Sequence, residues 1–467
     1  MPNRSAYPIA ISVIASLAGL LFGYDTAVIA GAIGFLGDYF SLNAVQTGFA
    51  VSSALIGCVI GAALSGWISD RLGRRTTLFL AAILYTASAI GCALAWDFTS
   101  FWLLRVVGGL GIGLSAIVPA YIAEISPAHI RGRLTSVYQL AITVGILLVY
   151  IVNNLVANAG DPAWQVSTAW RIMLASEGVP AVLFLVLILF LPESPRWLVA
   201  RGREEQAAAL LTRLEGVEDP TRVPQIKEDL AREQRAHAVK IFTKALLPIV
   251  LLASAIAALQ QLVGINVIIY YGTEMMAQMN IADPFLQQVL IGSVNVAATV
   301  LGMLVVDRWG RRPLLIIGTL GVAAMISVVG IANLTQSTGT WVMIFIIGYI
   351  VLFAATLGSL AWLVIAELPP SLARAKVVAF ATMVLWLANV LVAQTFPMIN
   401  EARFNVDVMN GALPYFIYGF FGVVFFFVAY FFVPETKGRT LEDLSERTIA
   451  HAEAEAEAEA EAEEVGK

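Results

Sequence analysis

Twelve apolar runs, each long enough to cross a bilayer, constrain this chain more than any other feature of its 467 residues. A helix needs about 20 apolar residues to traverse a hydrocarbon core of roughly 30 Å. The first six runs lie near 8–34, 46–68, 76–96, 101–124, 134–156 and 171–191. The second six lie near 246–278, 284–306, 313–333, 340–366, 376–398 and 412–433. Hydrophobic residues make up 59% of the chain and charged residues 13%, against roughly 45–50% and about 25% in soluble domains. One soluble core could not bury so much apolar surface. Backbone groups in lipid must bond within the protein, which leaves helices or closed barrels, and runs of this length fit helices. The expected fold class is an all-α membrane protein of twelve transmembrane helices. It divides into a six-helix half at 1–191, a polar cytoplasmic linker at 192–245, a second half at 246–433 and a tail at 434–467. Within the linker, AAALLTRL and IKEDLAREQ read as short amphipathic helices on the membrane surface.

Charge sets the orientation, because Lys and Arg favour cytoplasmic loops. With both termini inside, 25 of the 28 Lys and Arg residues fall in cytoplasmic segments, all but Arg105, Arg171 and Arg403. A net charge of -5 without a clustered basic face argues against nucleic acid as a partner. Cys58 and Cys92 sit inside apolar runs, and His129, His237 and His451 are scattered. No metal or other cofactor is therefore expected, and no nucleophile–base set points to an enzyme. No cleavable leader is expected, since the first apolar run is too long for one. From His451 to Lys467 the tail alternates Ala and Glu, with seven glutamates, and reads as a solvated segment without a fold of its own.

The chain repeats itself. Asp70-Arg71-Leu72-Gly73-Arg74-Arg75 recurs as Asp307-Arg308-Trp309-Gly310-Arg311-Arg312, offset by 237 (307 − 70). Glu124 and Arg131 recur as Glu367 and Arg374, offset by 243, and Pro192-Glu193-Ser194 as Pro434-Glu435-Thr436, offset by 242. Three matches in one order at nearly one offset indicate a six-plus-six duplication. Gly73 and Gly310 permit tight turns. The surrounding acids and arginines lie at cytoplasmic helix ends, where pairing across the two halves would form a latch made in one state and broken in another.

Two charges lie inside spans, where they are costly and usually functional. Asp25 is roughly 22 Å from the cytoplasmic face and Arg105 roughly 8 Å below the opposite face at 1.5 Å per residue, so their depths coincide and they are expected to pair. Breaking such a pair would make Asp25 a proton carrier. A second set is neutral: Gln139, Gln260, Gln261, Asn266 and Asn295, with Tyr270, Trp362 and Trp386 around them. Amides donate to and accept from hydroxyls, and aromatic faces stack on the CH surface of a pyranose. On a regular helix Gln260 and Asn266 would point about 120° apart. They converge only if the helix is distorted near Gly264.

The stretches GYDTAVIAGAI, GWISDRLGRR, RVVGGLGIGL, YIAEISPAHIRGRL, PESPRWL, QQLVGINVIIYY, VVDRWGRRP and VPETKGRTLEDL resemble the sugar porter family of the major facilitator superfamily, most of all its bacterial proton symporters. The likeness extends over nearly the whole chain, the Ala-Glu tail excepted. It implies proton-coupled import of a monosaccharide by alternating access, through a monomer in the cell membrane. It implies proton coupling at Asp25 with Arg105, and sugar contacts at Gln139, Gln260, Gln261, Asn266, Asn295 and Trp362. Phe22, Tyr270 and Trp386 would line the site, with Gly358 beside it in the tenth span. It also implies a cytoplasmic gate network that includes Asp70, Arg74, Glu124, Arg131, Glu193 and Arg196, answered in the second half by Asp307, Arg311, Glu367 and Arg374. Leu385 stands where the family's sugar carriers have an amide, Ile146 where the nearest of them has Gln, and Ser359 where the family's usual proline follows Gly358. An uncoupled sugar or polyol carrier, and a transporter-like sugar receptor, are the alternatives. The orientation is open to direct test: a cysteine placed at Asn158 is expected to react with an impermeant thiol reagent from outside intact cells, and one at Val217 only after permeabilisation.

Overall fold

The structure is a computed structural model that describes residues 6–127, 129–217, 219–236, 240–370 and 373–435, with side chains at 232–236 and 306–309 left aside. The Asp307 side chain and the Ala-Glu tail thus lie outside the described residues. Twelve helices among those described are long and apolar enough to cross a membrane. In the first half they are Ala6–Phe40 (span 1), Ala44–Leu72 (span 2), Arg74–Ala93 (span 3), Phe98–Ile125 (span 4), Arg131–Ala157 (span 5) and Pro162–Phe190 (span 6). In the second half they are Leu247–Gln278 (span 7), Pro284–Val305 (span 8), Arg311–Leu334 (span 9), Thr340–Glu367 (span 10), Arg374–Asn400 (span 11) and Leu413–Phe431 (span 12). The largest departure from expectation is span 6, which begins at Pro162 rather than near 171. Asp161 caps it by accepting from Trp164 N at 2.8 Å, and a π turn at Gln165–Ala169 carries polar residues into the helix.

The turns between spans 2 and 3 and between spans 8 and 9 mark one end of the bundle, here called the basic end; the other is the far end. Far-end helix starts are closed by short polar side chains. Asn43 and Gln46 form a reciprocal capping box, as do Asp97 and Ser100, and Asp283 accepts from Leu286 N at 3.2 Å. Arg171, an exception to the charge rule, serves the far end too: it donates to the carbonyls of Ala93 and Ala95 at 2.8 and 2.9 Å, where span 3 ends.

At the basic end the repeated motifs do one job twice. Gly73 and Gly310 take φ of 95° and 87°, a conformation that favours glycine, and start spans 3 and 9. Each leaves room for a carboxylate over the bare helix start. Glu193 accepts from Arg74 N at 2.7 Å and Arg75 N at 3.3 Å. Glu435 accepts from Arg311 N at 3.0 Å and Arg312 N at 3.2 Å. A carboxylate at unsatisfied N–H groups complements the helix dipole. Even the following arginines agree: Arg75 reaches Leu189 O at 2.7 Å and Arg312 reaches Tyr430 O at 2.6 Å.

Glycine also sets the packing of the first half. A Cβ on Gly109 would lie 1.8 Å from Ala54 O and one on Gly57 2.2 Å from Val106 O, so spans 2 and 4 meet backbone to backbone. Spans 1 and 5 do the same through Gly23 and Gly145. Lipid supplies no hydrophobic force between helices, so close van der Waals contact must hold them. The linker folds into helices Pro195–Ala200, Glu204–Glu215 and Arg222–Ala236. Their apolar faces cover one another through Leu198, Val199, Ala207, Leu210 and Ile226, so those faces are spent on protein rather than on a membrane surface. Trp197 Nε1 to Asp70 O at 3.0 Å and Arg213 over the Tyr7 ring at 4.1 Å fasten the linker to the first half.

The two turns can be ranked. A Cβ on Gly73 would lie 2.2 Å from Glu193 Oε2, and on Gly310 2.8 Å from Glu435 Oε2. Gly73→Ala and Gly310→Ala are each expected to lose about 1–3 kcal/mol from backbone strain, with Gly73→Ala the worse. Melting midpoints of the purified proteins in detergent check the order.

Candidate functional site

Span 4 packs closely enough on span 2 to carry Arg105 into the bundle. There its Nη1 makes a short ion pair with Asp25 Oδ1 of span 1 and also lies 3.3 Å from the Asp25 carbonyl. Asp25 is 0% exposed and Arg105 1%, so the pair is sealed from solvent. Gly108 lets span 3 close over the pair: a Cβ there would lie 2.5 Å from Ser88 Oγ and 3.2 Å from Asp25 Oδ2. The expected pairing is thus present in the structure.

A third ionisable side chain joins it: Glu177 of span 6, buried beside Asp25 and Arg105. Tyr24, which precedes Asp25, bonds to Ser176 at 2.8 Å and holds the two spans together there. Asp25 Oδ2 and Glu177 Oε1 accept from no other donor among the described residues, and the two carboxyls can bond to each other when one of them carries a proton. Sequence reasoning missed Glu177, although a lone acid in an apolar run was signal enough. Counted from Arg171, which sits at the far end, it lies six residues in (177 − 171), or about 9 Å deep, the level already assigned to Arg105.

The neutral set forms where span 7 breaks. Helices Leu247–Leu262 and Ile265–Gln278 meet at Gly264, whose φ is 89°. A Cβ there would strike the Tyr418 ring at 2.5 Å. The break strands carbonyls, and Tyr349 satisfies that of Val263 at 2.9 Å. It also turns Asn266 back toward the first half-helix. Asn266 Nδ2 donates to Gln261 Oε1, and Gln261 Nε2 donates to Gln260 Oε1 at 2.7 Å. Gln260 Nε2 reaches the carbonyl of Leu357, beside Gly358, at 3.4 Å. Span 10 lacks the usual proline here, and the π turn Phe353–Leu357 distorts it instead. Phe22 and Trp386 face each other across the halves at 5.8 Å. Tyr270 bonds to Asn389 at 3.2 Å. Gln139 and Asn295 are half-buried and Trp362 exposed, and these three make no described hydrogen bond with the others. Leu385 and Ile146 are buried and apolar.

Contacts between the halves cluster toward the far end. Ser52 donates to Gln394 Oε1 at 2.7 Å, and Gln394 Nε2 to Val45 O at 3.0 Å. The half-helix Ile265–Gln278 is held from two directions, by Thr273 Oγ1 on the Ala30 carbonyl and by the Tyr150 hydroxyl on that of Ile269 at 3.0 Å. Phe35 stacks on Phe285 at 5.9 Å.

At the basic end the described pairs join residues of one half rather than bridging the two. Arg74 forks onto both oxygens of Glu124 at 3.2 Å and reaches Asp70 at 3.1 Å. Arg311 pairs with Glu367 at 3.4 Å. Arg131 reaches Ser126 O and Arg374 reaches Pro369 O, each at 3.5 Å. Burial pushes the Glu193 carboxyl above the ordinary glutamate range, against the pull of the amides it caps. Arg74, Glu124, Arg131 and Arg196 line a cavity of about 440 Å³ beneath the linker.

Broken helices, a buried charge cluster and a neutral cluster of amides and aromatic rings in a duplicated twelve-span bundle are the features of a secondary transporter. The family described as Sugar (and other) transporter matches residues 11–447, and the chain belongs to it. It is 40% identical to the D-xylose-proton symporter of Escherichia coli (strain K12), over 94% of this chain and 96% of that protein. It is 36% identical to the glucose facilitated diffusion protein of Zymomonas mobilis, over 93% and 96%. Among solved structures it resembles the inward open conformation of the xylose transporter from E. coli, with a TM-score of 0.83, 39% identity and coverage of 94% and 99%. The same transporter bound to 6-bromo-6-deoxy-D-glucose gives 0.78 at 38% identity, covering 95% and 99%.

Removing one member of a buried pair leaves the other uncompensated, at a cost of about 3–5 kcal/mol. Arg105→Leu is therefore expected to be strongly destabilised, because two carboxylates remain together. Arg105→Leu combined with Asp25→Asn should recover much of the loss, read as melting midpoints in detergent.

Proposed function

We propose that the protein is a proton–sugar symporter of the cell membrane, with both termini and the linker cytoplasmic, working by alternating access. One observation carries this reading. A buried Asp25–Arg105–Glu177 cluster stands beside a neutral, amide-rich site framed by Phe22, Tyr270 and Trp386. The relatives' names support the same class. The neutral site suits a polyhydroxyl cargo, since amides satisfy hydroxyls without requiring a counter-charge. A single chain carries both parts, which supports a monomeric transport unit.

The far-end seal and the intra-half pairing at the basic end support an inward-facing state. In the outward-facing state Asp25 takes a proton and sugar binds the amides. The halves then rock, the seal around the half-helix Ile265–Gln278 closes, and sugar leaves on the cytoplasmic side. The proton follows as Asp25 returns to Arg105. Asp25 and Arg105 together carry no net charge, so each proton that Asp25 takes changes the charge that must be sheltered from lipid. In this reading the basic-end acids and arginines rearrange between the halves when the cytoplasmic side closes. A potential of 100 mV supplies about 2.3 kcal/mol per charge and one pH unit about 1.4 kcal/mol. At one proton per sugar this sustains accumulation of roughly several hundred-fold.

Uncoupled facilitated diffusion is the second reading, favoured by the likeness to a glucose facilitated diffusion protein. Proteoliposomes with an imposed pH gradient separate the two. Asp25→Asn is expected to abolish uphill uptake while sparing counterflow exchange. Uphill uptake missing from the parent protein while exchange is intact selects the uncoupled carrier, whereas uphill uptake that survives in the variant places the coupling on a group other than Asp25.

A further inference from the structure

One helical turn beyond the amide chain, toward the far end, lies a second tier of polar groups. Tyr270 follows Asn266 by four residues on the half-helix Ile265–Gln278. Asn389 follows Trp386 by three and Leu385 by four on span 11. Each therefore shares a face with a residue of the site below it. Asn389 is 3% exposed, and its Nδ2 donates to the Tyr270 hydroxyl at 3.2 Å. That bond orients the amide and leaves Oδ1 buried without a partner among the described residues. Tyr270, accepting from Asn389, keeps its own O–H to donate. The two side chains thus offer one acceptor and one donor next to each other. A buried carbonyl left unpaired costs about 1–3 kcal/mol, which an apolar residue would avoid, as Leu385 does one turn below.

Resting on the reading of the site as a sugar site, we propose that Asn389 contacts the substrate and sets which sugars fit. A single ring hydroxyl donates to Asn389 Oδ1 and accepts from the Tyr270 O–H. A hydroxyl on the other side of the ring bonds to the Gln260–Gln261–Asn266 chain. Only a group that donates and accepts at once satisfies the upper tier, and a hydroxyl is such a group. The tiers are one turn apart, about 5.4 Å, the scale of one pyranose ring. Leu385 offers no polar atom at the lower level, so span 11 makes its hydroxyl contact through Asn389. A sugar that lacks the matching hydroxyl leaves the carbonyl unpaired and is rejected.

The test is counterflow exchange in proteoliposomes with labelled xylose, glucose and galactose, competed by the monodeoxy analogues of whichever sugar exchanges best. In the parent protein one analogue is expected to compete about tenfold or more worse than its parent sugar, as a difference of about 1.4 kcal/mol requires. In Asn389→Leu the parent sugar should weaken by that factor while the same analogue does not, so the discrimination collapses. Tyr270→Phe, which removes the donor, should reduce the same discrimination, and it carries the comparison if Asn389→Leu does not exchange at all. Unchanged affinity for the parent sugar, or an equal loss for it and every analogue, overturns the proposal. If none of the three sugars exchanges in the parent protein, the reading of the site fails and the role of Asn389 falls with it. Sugar exchange with discrimination indifferent to Asn389 and Tyr270 removes only the latter.

Discussion

The Asp25–Arg105 ion pair is the contact around which the first half is organised. Charge in a bilayer interior must be enclosed by protein, and this enclosure needs helices closer together than ordinary side chains allow. Gly57 and Gly109 let span 4 press onto span 2, Gly23 and Gly145 let span 1 press onto span 5, and Gly108 leaves space for Ser88 of span 3 beside the carboxylate. With Glu177 from span 6 the cluster holds two acids and one base. That imbalance gives a bound proton somewhere to act.

The second half solves a different problem. Its working parts are interruptions: the break at Gly264 in span 7 and the π turn before Gly358 in span 10. Broken helices cost backbone hydrogen bonds, tolerated where the freed groups are buried in protein, and Tyr349 and Gln260 take up the carbonyls of Val263 and Leu357. The break also yields a short half-helix that binds spans of both halves. Closing the far end and shaping the site are thus tasks of one segment.

The duplication is clearest where function is least specific. Glu193 and Glu435 cap equivalent helix starts across equivalent glycines, and Glu124 and Glu367 hold equivalent arginines. Among the described side chains, the Arg74–Glu124 and Arg311–Glu367 pairs each lie within one half. That arrangement fits a bundle whose inter-half contacts lie toward the other end.

Much of this was legible before the structure, because periodicity and length are local. Twelve spans, the linker helices, the repeat and the matching depths of Asp25 and Arg105 all follow from counting residues along helices in a core of known thickness. The convergence of Gln260, Gln261 and Asn266 followed from a single glycine. Tertiary structure alone decided the rest. The start of span 6 depended on a π turn that apolar counting ignores, and the meeting of Glu177 with Asp25 and Arg105 depended on how span 6 packs. The apolar faces of the linker helices were plain, but their choice of one another over lipid was not. The amide at Asn389 reads from sequence as one more polar residue in span 11. Only its place beside Tyr270, with one oxygen left over, gives it a task, because an unpaired atom is defined by neighbours that lie far away along the chain.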